Sequence, residues 1–284
     1  MNDYLASLPY PAIIETLDYE AILAEMVADA AARFVAAGID YDVGELETDP
    51  VKIVLEAAAY RELNLRARAN DVARAQILSF ARAADLDHLA GFYEVERLED
   101  ETDERLRGRV VDAIRGRSPA GSAYWYRAAA MAVDTNIRDV SVQRAGDGPA
   151  LIVTVLSVDN DGIADQALLD AVEAKITSDP VRVVSDDITV AAAVFDSIDI
   201  AADVWLIEGV PQGVFDALEA TLRAAWDARQ AIGLDLTRSW ITAALHQPGV
   251  QKVEIGAPAA DVIAVDNRAV ALGTVTLTFK GFAR

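Results

Sequence analysis

The sequence feature that most constrains the fold is a long helical run with two apolar sectors, which begins near Pro50 and continues to about Ala81. Proline suits the first position of a helix, because its missing N–H would have no partner there in any case. On an ideal helix the apolar residues divide into two groups: Leu65, Ala69, Val72 and Phe80 in one, and Leu63, Ala67, Ile77 and Ala81 in the other. We therefore predict a helix packed on two sides, which disfavours a free-standing helix that reads DNA.

The same run is basic within an acidic chain. Residues 61–82 hold five arginines and two acidic residues, a balance of 5 − 2 = +3, whereas the whole chain carries −21. Such a body repels nucleic acid and anionic membranes, so we predict neither as a partner. Arg66 and Arg74 lie beside the second apolar sector, where arginine suits pairing with carboxylates across a protein interface. Residues 150–210 carry a balance of −10, which indicates either a solvated acidic face or charge matching between copies.

A second helix is predicted from Leu17 to Ala37, because apolar residues recur there every three or four positions. The members of this stripe are Tyr19, Leu23, Met26, Ala30 and Phe34. The stripe can pack on its own domain or join a helical bundle with another chain. We take Leu23, Met26 and Phe34 as candidate interface residues for such a bundle.

Strands are predicted only in the second half of the chain. "IRDVSVQ" and "ALIVTVLS" form a predicted hairpin. Residues 187–207 alternate apolar and polar side chains and are interpreted as two strands around Asp196–Ser197. Further strands are predicted near Val253 and Ile263 and in "TVTLTF", and a single long helix is predicted to open at Pro211.

A weak internal repeat suggests how these elements are grouped. Trp125 and Trp240 each lie in a short alanine-containing helix that is followed by a turn and a strand. The fold class predicted is α+β, with an N-terminal helical region followed by two related small α+β modules; chance similarity of helix–turn–strand units is the alternative. The predicted boundaries are an arm at 1–16, a helical region at 17–117, and modules at 118–190 and 191–284. Trp240, at the edge of the second module, is a further candidate interface residue.

The sequence offers no motif for catalysis or metal binding. His88 and His246 are far apart, and the chain has no cysteine, so a zinc site is not predicted. Ser157–Gly162, "SVDNDG", resembles the start of a calcium loop, but Leu168 stands where a bidentate glutamate belongs, so a strand-to-helix turn is favoured. We predict no catalytic residues, no metal and no cofactor, and hence no enzyme. A carbohydrate-active enzyme with paired carboxylates, or a nucleic-acid-binding protein, remains the alternative.

Two stretches carry a family resemblance. The run "DPVKIVLEAAAYRELNLRARANDVARAQILSFARAADLDHLAGFYEVERLEDETDERLRGRV", followed by "SPAGS", resembles the baseplate assembly protein J family of contractile phage tails. "ALHQPGVQKVEIGAPAADVIA" resembles the C-terminal part of that family. The resemblance extends from about Leu17 to Phe279. Its first run is the more specific, because the order of its motifs is unusual.

The resemblance implies a structural function. Members are wedge proteins that form a ring around the central hub and spike of a contractile tail or tail-like injection particle, beneath the sheath. Implied partners are other copies of the chain, the wedge proteins of the W and I type, the hub and spike, and sheath-proximal proteins. The implied location is the tail baseplate of a particle assembled in the host bacterial cytoplasm. The family has no catalytic residues to transfer, which agrees with a chain that lacks catalytic motifs.

Overall fold

The computed structural model describes residues 9, 11–42, 48–118, 122–265 and 267–283, and the chain divides into two compact units. The first unit comprises the chain up to Arg97 together with Thr102–Gly108, and the second comprises Leu98–Glu101 together with Arg109 onward. Most of the predicted N-terminal arm, residues 1–16, lies outside the described residues. Among the described helices, none has the length and apolar character needed to cross a membrane.

The first unit is helical, as predicted. Asp18 caps its first helix by accepting hydrogen bonds from the N–H groups of Glu20 and Ala21 at 2.9 and 3.2 Å. Asp49 caps the second by accepting from Val51 N at 2.8 Å, ahead of the proline that opens it. The helices are α1 (Tyr19–Ala36), α2 (Pro50–Ala75), α3 (Ala83–Gly91) and the start of α4 (Asp103–Arg115).

Helix α2 ends earlier than the sequence pattern indicated. The predicted continuation to about Ala81 is wrong, since the helix stops at Ala75 and turns follow. The carbonyl groups beyond this end are satisfied from elsewhere in the unit: Arg107 Nε donates to Leu78 O at 2.8 Å and Arg107 Nη2 donates to Ala81 O at 2.9 Å. These bonds join residues 26 or more positions apart, so no local pattern could have predicted them.

Apart from Leu98–Glu101, the second unit begins within α4 at Arg109 and continues into α5 (Ala123–Met131). A three-stranded sheet follows, with strands β1 (Ile137–Arg144), β2 (Ala150–Ser157) and β3 (Asp187–Ala192), and with α6 (Gln166–Ile176) between β2 and β3. The predicted hairpin is present, because β1 and β2 pair antiparallel with Val142 opposite Val153. Strand β3 pairs parallel to β2 with α6 as the crossover. The segment Ser157–Gly162 forms the predicted turn, with a 3-10 turn at its end.

A second three-stranded sheet follows, with β4 (Val194–Ile207) between β5 (Val250–Ala257) and β6 (Arg268–Ala283). Its central strand β4 is antiparallel to β5 and parallel to β6. Helix α8 (Leu218–Arg229) covers the sheet, with Leu218, Leu222 and Trp226 almost fully buried. The other helices of this module are α7 (Gly213–Asp216) and α9 (Arg238–Leu245).

The two sheets share the arrangement that the repeat suggested. In each, a tryptophan-bearing helix, α5 or α9, is followed by a strand antiparallel to the central strand, and the other edge is parallel to it. The parallel edge follows a crossover helix in the first sheet, whereas in the second it is the last strand of the chain. The predicted α+β fold with a helical N-terminal region is therefore confirmed.

Three predicted element boundaries in the second unit are wrong. The break between the two strands of residues 187–207 falls at Ala193, not at Asp196–Ser197, because Asp196 and Ser197 pair with β6 inside β4. Ile263 lies outside any strand, next to an isolated bridge between Leu236 and Val262. The single helix after Pro211 is divided into α7 and α8.

Candidate assembly surfaces

One sector of α2 is covered by the chain itself. Ala59 is fully buried, and Leu55 and Leu63 pack with it against the buried Ile22 and Leu23 of α1. This is the predicted sector that contains Leu63. It shows that α1 packs at least part of its stripe on its own domain.

The other sector of α2 is open. Val54, Leu65 and Val72 are 66%, 72% and 52% exposed. On a helix these residues and Ala69 lie within about 60° of one another, so they form a continuous exposed stripe, which we call the α2 stripe. Leucine and valine exposed in a row along a helix indicate a surface that a partner covers, whereas single exposed apolar residues would need no explanation.

Arginines border this stripe. Arg61 and Arg68 are exposed and lie about 20° apart on one side of it. An apolar stripe with a basic margin is complementary to an amphipathic surface with an acidic margin, because opposite charges at the rim fix the register of a contact.

The structure places the three candidate residues of α1 in different environments. Leu23 is buried against α2, and Met26 is half-buried beside it. Phe34 lies near the end of the helix, where its ring stands 5.3 Å from that of Tyr41. The Tyr41 hydroxyl donates to Asp49 Oδ1 at 2.7 Å, and this hydrogen bond raises the pKa of Tyr41. The same bond connects the loop after α1 to the residue that caps α2. A contact of these residues with another chain stays a prediction, and Leu23 is the least available of them.

Arg66 and Arg74 each form ion pairs within their own unit. Arg66 Nη2 lies 2.6 Å from Glu62 Oε1, and its Nη1 lies 3.5 Å from Glu15 Oε2. The hydrogen bond to Glu62 is the main reason that the pKa of Arg66 is raised. Arg74 Nη1 lies 3.3 Å from Asp71 Oδ1. Both arginine side chains remain almost half exposed, so an additional pair across an interface stays a prediction.

Trp240 contributes to the core of its own module. Its ring packs edge-on against Trp226 with centroids 4.9 Å apart, and the Arg229 guanidinium lies 5.3 Å from its centroid. The side chain is half-buried. Its proposed role at an interface is therefore restricted to the part of the ring that α8 leaves open.

Sequence reasoning missed a buried charge network in the second unit. Arg127 on α5 donates from Nε to Asp112 Oδ2 at 2.7 Å and from Nη1 to Asp139 Oδ1. Asp139 Oδ2 also accepts from Ile232 N at 2.9 Å, so the network connects α4, β1 and the segment after α8. Burial raises the pKa of Asp112, and the charge of Arg127 opposes that rise. These residues are dispersed along the chain, so no motif or spacing marks them.

Comparison with known proteins identifies the family of this chain. Residues 47–101 match the baseplate J-like N-terminal domain, and residues 118–192 match the baseplate J-like central domain. The chain is 35% identical over 289 residues to Baseplate protein J of Escherichia phage P2, with 91% of each chain covered. The chain belongs to the baseplate J-like family. The predicted family is thus confirmed, and membership supports a structural role in a baseplate.

A solved structure is also similar to the baseplate J-like chain. It is the cryo-EM structure of the anti-feeding prophage (AFP) baseplate, 6-fold symmetrised. The alignment covers 62% of this chain and 42% of that chain, with a TM-score of 0.41 and 15% sequence identity.

Proposed function

We propose that this baseplate J-like chain is a structural wedge protein of a contractile phage tail or tail-like particle. It forms a ring around the hub and spike, and it couples triggering to contraction of the sheath. The observation that carries the proposal is the 35% identity to Baseplate protein J of phage P2 over 91% of both chains. The chain acts in the tail baseplate after assembly in the host cytoplasm.

A carbohydrate-active enzyme is the weaker candidate. A polar cleft of about 920 Å³ in the first unit is lined by four acidic residues, including Asp103, but also by Arg74, Arg82 and Arg107. Asp103 accepts from Ala83 N at 3.0 Å and from Arg97 Nη2 at 2.7 Å. These bonds lower its pKa, and a general acid needs a raised pKa. The cleft therefore favours ion pairing over acid catalysis.

The helical region, residues 17–117, is proposed to bind the wedge partners of the W and I type. The α2 stripe supports this assignment, because its apolar area is exposed and its arginine margin contrasts with the acidic chain. The partner is expected to present an amphipathic helix with an acidic margin, laid along the α2 stripe. Such a contact also accommodates the remaining exposed part of the α1 stripe around Phe34.

The test is a double substitution, Leu65→Asp and Val72→Asp. Both side chains are exposed, so the fold of the isolated chain should be unaffected and its circular dichroism and melting should match wild type. Binding to the wedge partners, measured by co-purification and by complementation of a deletion strain, should be lost. The matched control is Val184→Asp, at a position 95% exposed in the second unit, which should bind and complement normally. Normal wedge binding by the double variant would overturn this assignment.

The C-terminal module, residues 191–284, is proposed to supply contacts between copies. Because β4 is the central strand of the last sheet, a truncation after Ile207 would remove both of its neighbours. Point substitutions on the intact chain are therefore the appropriate test of this module.

A further inference from the structure

Some strand edges in the second unit are partly covered by side chains from the same chain. On β1, Arg127 donates to Val140 O, and on β5, Arg238 Nη2 donates to Ile255 O at 2.8 Å. Strand β6 is covered along its first half, where side chains of α8 and of Gln230, which follows it, donate to backbone carbonyl groups. Those bonds are Trp226 Nε1 to Val270 O at 2.9 Å, Gln230 Nε2 to Val270 O at 3.0 Å, Arg223 Nη1 to Leu272 O at 3.2 Å and Arg223 Nη2 to Gly273 O at 3.0 Å.

The second half of β6, Thr274–Ala283, has no such closure. Among the residues that the structure describes, its backbone forms hydrogen bonds only with β4. Thr274 N donates to Asp199 Oδ1 on β4 at 2.7 Å, so the alternation of a strand turns the N–H and C=O groups of Val275, Leu277 and Phe279 outward. Its register with β4 is continuous from Val275 to Phe279, about the length of a typical strand, and shifts after Phe279. Protein sheets usually protect such an edge.

The side chains of this edge are compatible with a second copy of it. Val275, Leu277 and Phe279 belong to the core of the module, whereas Thr276 and Thr278 are exposed on the other face. The segment contains no acidic residue, and its single Lys280 lies 3.1 Å from Asp203 of the neighbouring strand. The chain as a whole carries a net charge of −21, but this edge has no acidic side chain, so two copies can approach along it without repulsion between carboxylates.

We propose that two copies of the chain pair through the outer edges of Thr274–Phe279, antiparallel and around a twofold axis. The pair makes one continuous six-stranded sheet, with the apolar side chains of both edges on the same face and the threonines on the other. This inference rests on the proposed role of the C-terminal module in contacts between copies, and it names the contact. A twofold contact uses the same surface on both copies, so it joins two copies and no more. A ring built from such pairs therefore requires a second contact elsewhere on the chain.

The first test uses charge and the full-length chain. Thr276→Lys with Thr278→Lys places lysines opposite each other across the twofold axis. By sedimentation, wild type should be a dimer, and the double variant should dissociate about tenfold more readily. The matched control is Gln251→Lys on the opposite edge of the same sheet, which should leave the dimer unchanged. A monomeric wild type, or a double variant as tightly paired as the control, overturns the proposal.

The second test uses cross-linking, since the chain has no cysteine of its own. Thr276→Cys, Thr278→Cys, or an equal mixture of the two should form a covalent dimer on mild oxidation or with a short bis-maleimide. Gln251→Cys should not. Absence of cross-links at the first two positions, or equal cross-linking of Gln251→Cys, overturns the pairing. Incorporation of wild type into baseplates is scored separately: if it fails while the edges pair, the proposed function is wrong and this contact stands.

Discussion

Replacing Arg127 with methionine should destabilise the second unit while leaving the first intact. The substitution keeps an unbranched side chain of similar length but removes the charge that two buried carboxylates share. Asp112 is 8% exposed and Asp139 is 14% exposed. Asp139 keeps hydrogen bonds from Val140 N and Ile232 N, both at 2.9 Å, so Asp112 bears most of the loss. Removing one partner of a buried ion pair costs about 3–5 kcal/mol, and we expect the lower end of that range.

The assay is urea unfolding followed by tryptophan fluorescence. All four tryptophans lie in the second unit, so the signal reports on that unit alone. The urea concentration at the unfolding midpoint should fall, while the dependence of the unfolding free energy on urea concentration should stay the same. This combination indicates a change in stability and not in the surface exposed on unfolding. The control is Lys175→Met, which removes one exposed positive charge in the same unit and should shift the midpoint little.

The pH dependence of this loss has a definite sign. Burial raises the folded-state pKa of Asp112 above 3.8, and the charge of Arg127 opposes that rise. Replacing Arg127 with methionine should therefore raise the folded-state pKa of Asp112 further. A carboxyl group whose pKa is higher in the folded state than in the unfolded state contributes stability at pH values below its unfolded-state pKa. That contribution is lost as the pH rises through the folded-state pKa. The difference between wild type and variant should therefore be largest near neutral pH and should shrink as pH falls toward about 4. A difference below about 1 kcal/mol at neutral pH, or one independent of pH, would refute this account.

Three further predictions concern single sites. Gly162→Ala should destabilise by about 1–3 kcal/mol, because its φ is +88° and the new Cβ would lie 2.5 Å from the Phe195 ring; unchanged melting would contradict this. Trp226→Phe should cost about 1–3 kcal/mol by circular-dichroism melting, since Val270 O loses a buried donor at 2.9 Å; a neutral result would show that Gln230 suffices as donor. Arg74→Ala should leave melting unchanged but weaken wedge assembly and its salt dependence; assembly at wild-type strength would argue against an interface ion pair.

Much of the local structure could be predicted because its causes are local. The second helix begins at Pro50, as its sequence indicated. The hairpin of β1 and β2 was visible as two alternating segments around a turn. The family, too, was recognisable from the order of motifs in one long run. Boundaries failed where a distant residue decided them, as Arg107 does for the end of α2.

The candidate surfaces were predictable only in part. The spacing of Leu63 and Leu65 shows that α2 has two apolar sectors, because helical geometry follows from sequence position alone. Which sector α1 covers depends on how two helices pack, and only the structure shows Ala59 buried and Leu65 exposed.

The sequence by itself determined the apolar periodicities, the net charge and the family, since each depends on neighbouring residues or on composition. Only the tertiary structure decided that Arg127 is shared by Asp112 and Asp139, and that one half of β6 is closed while the other is open. The physical reason is that burial and strand order bring together residues far apart in the chain. The free energy of a charge or a backbone N–H depends on what then surrounds it.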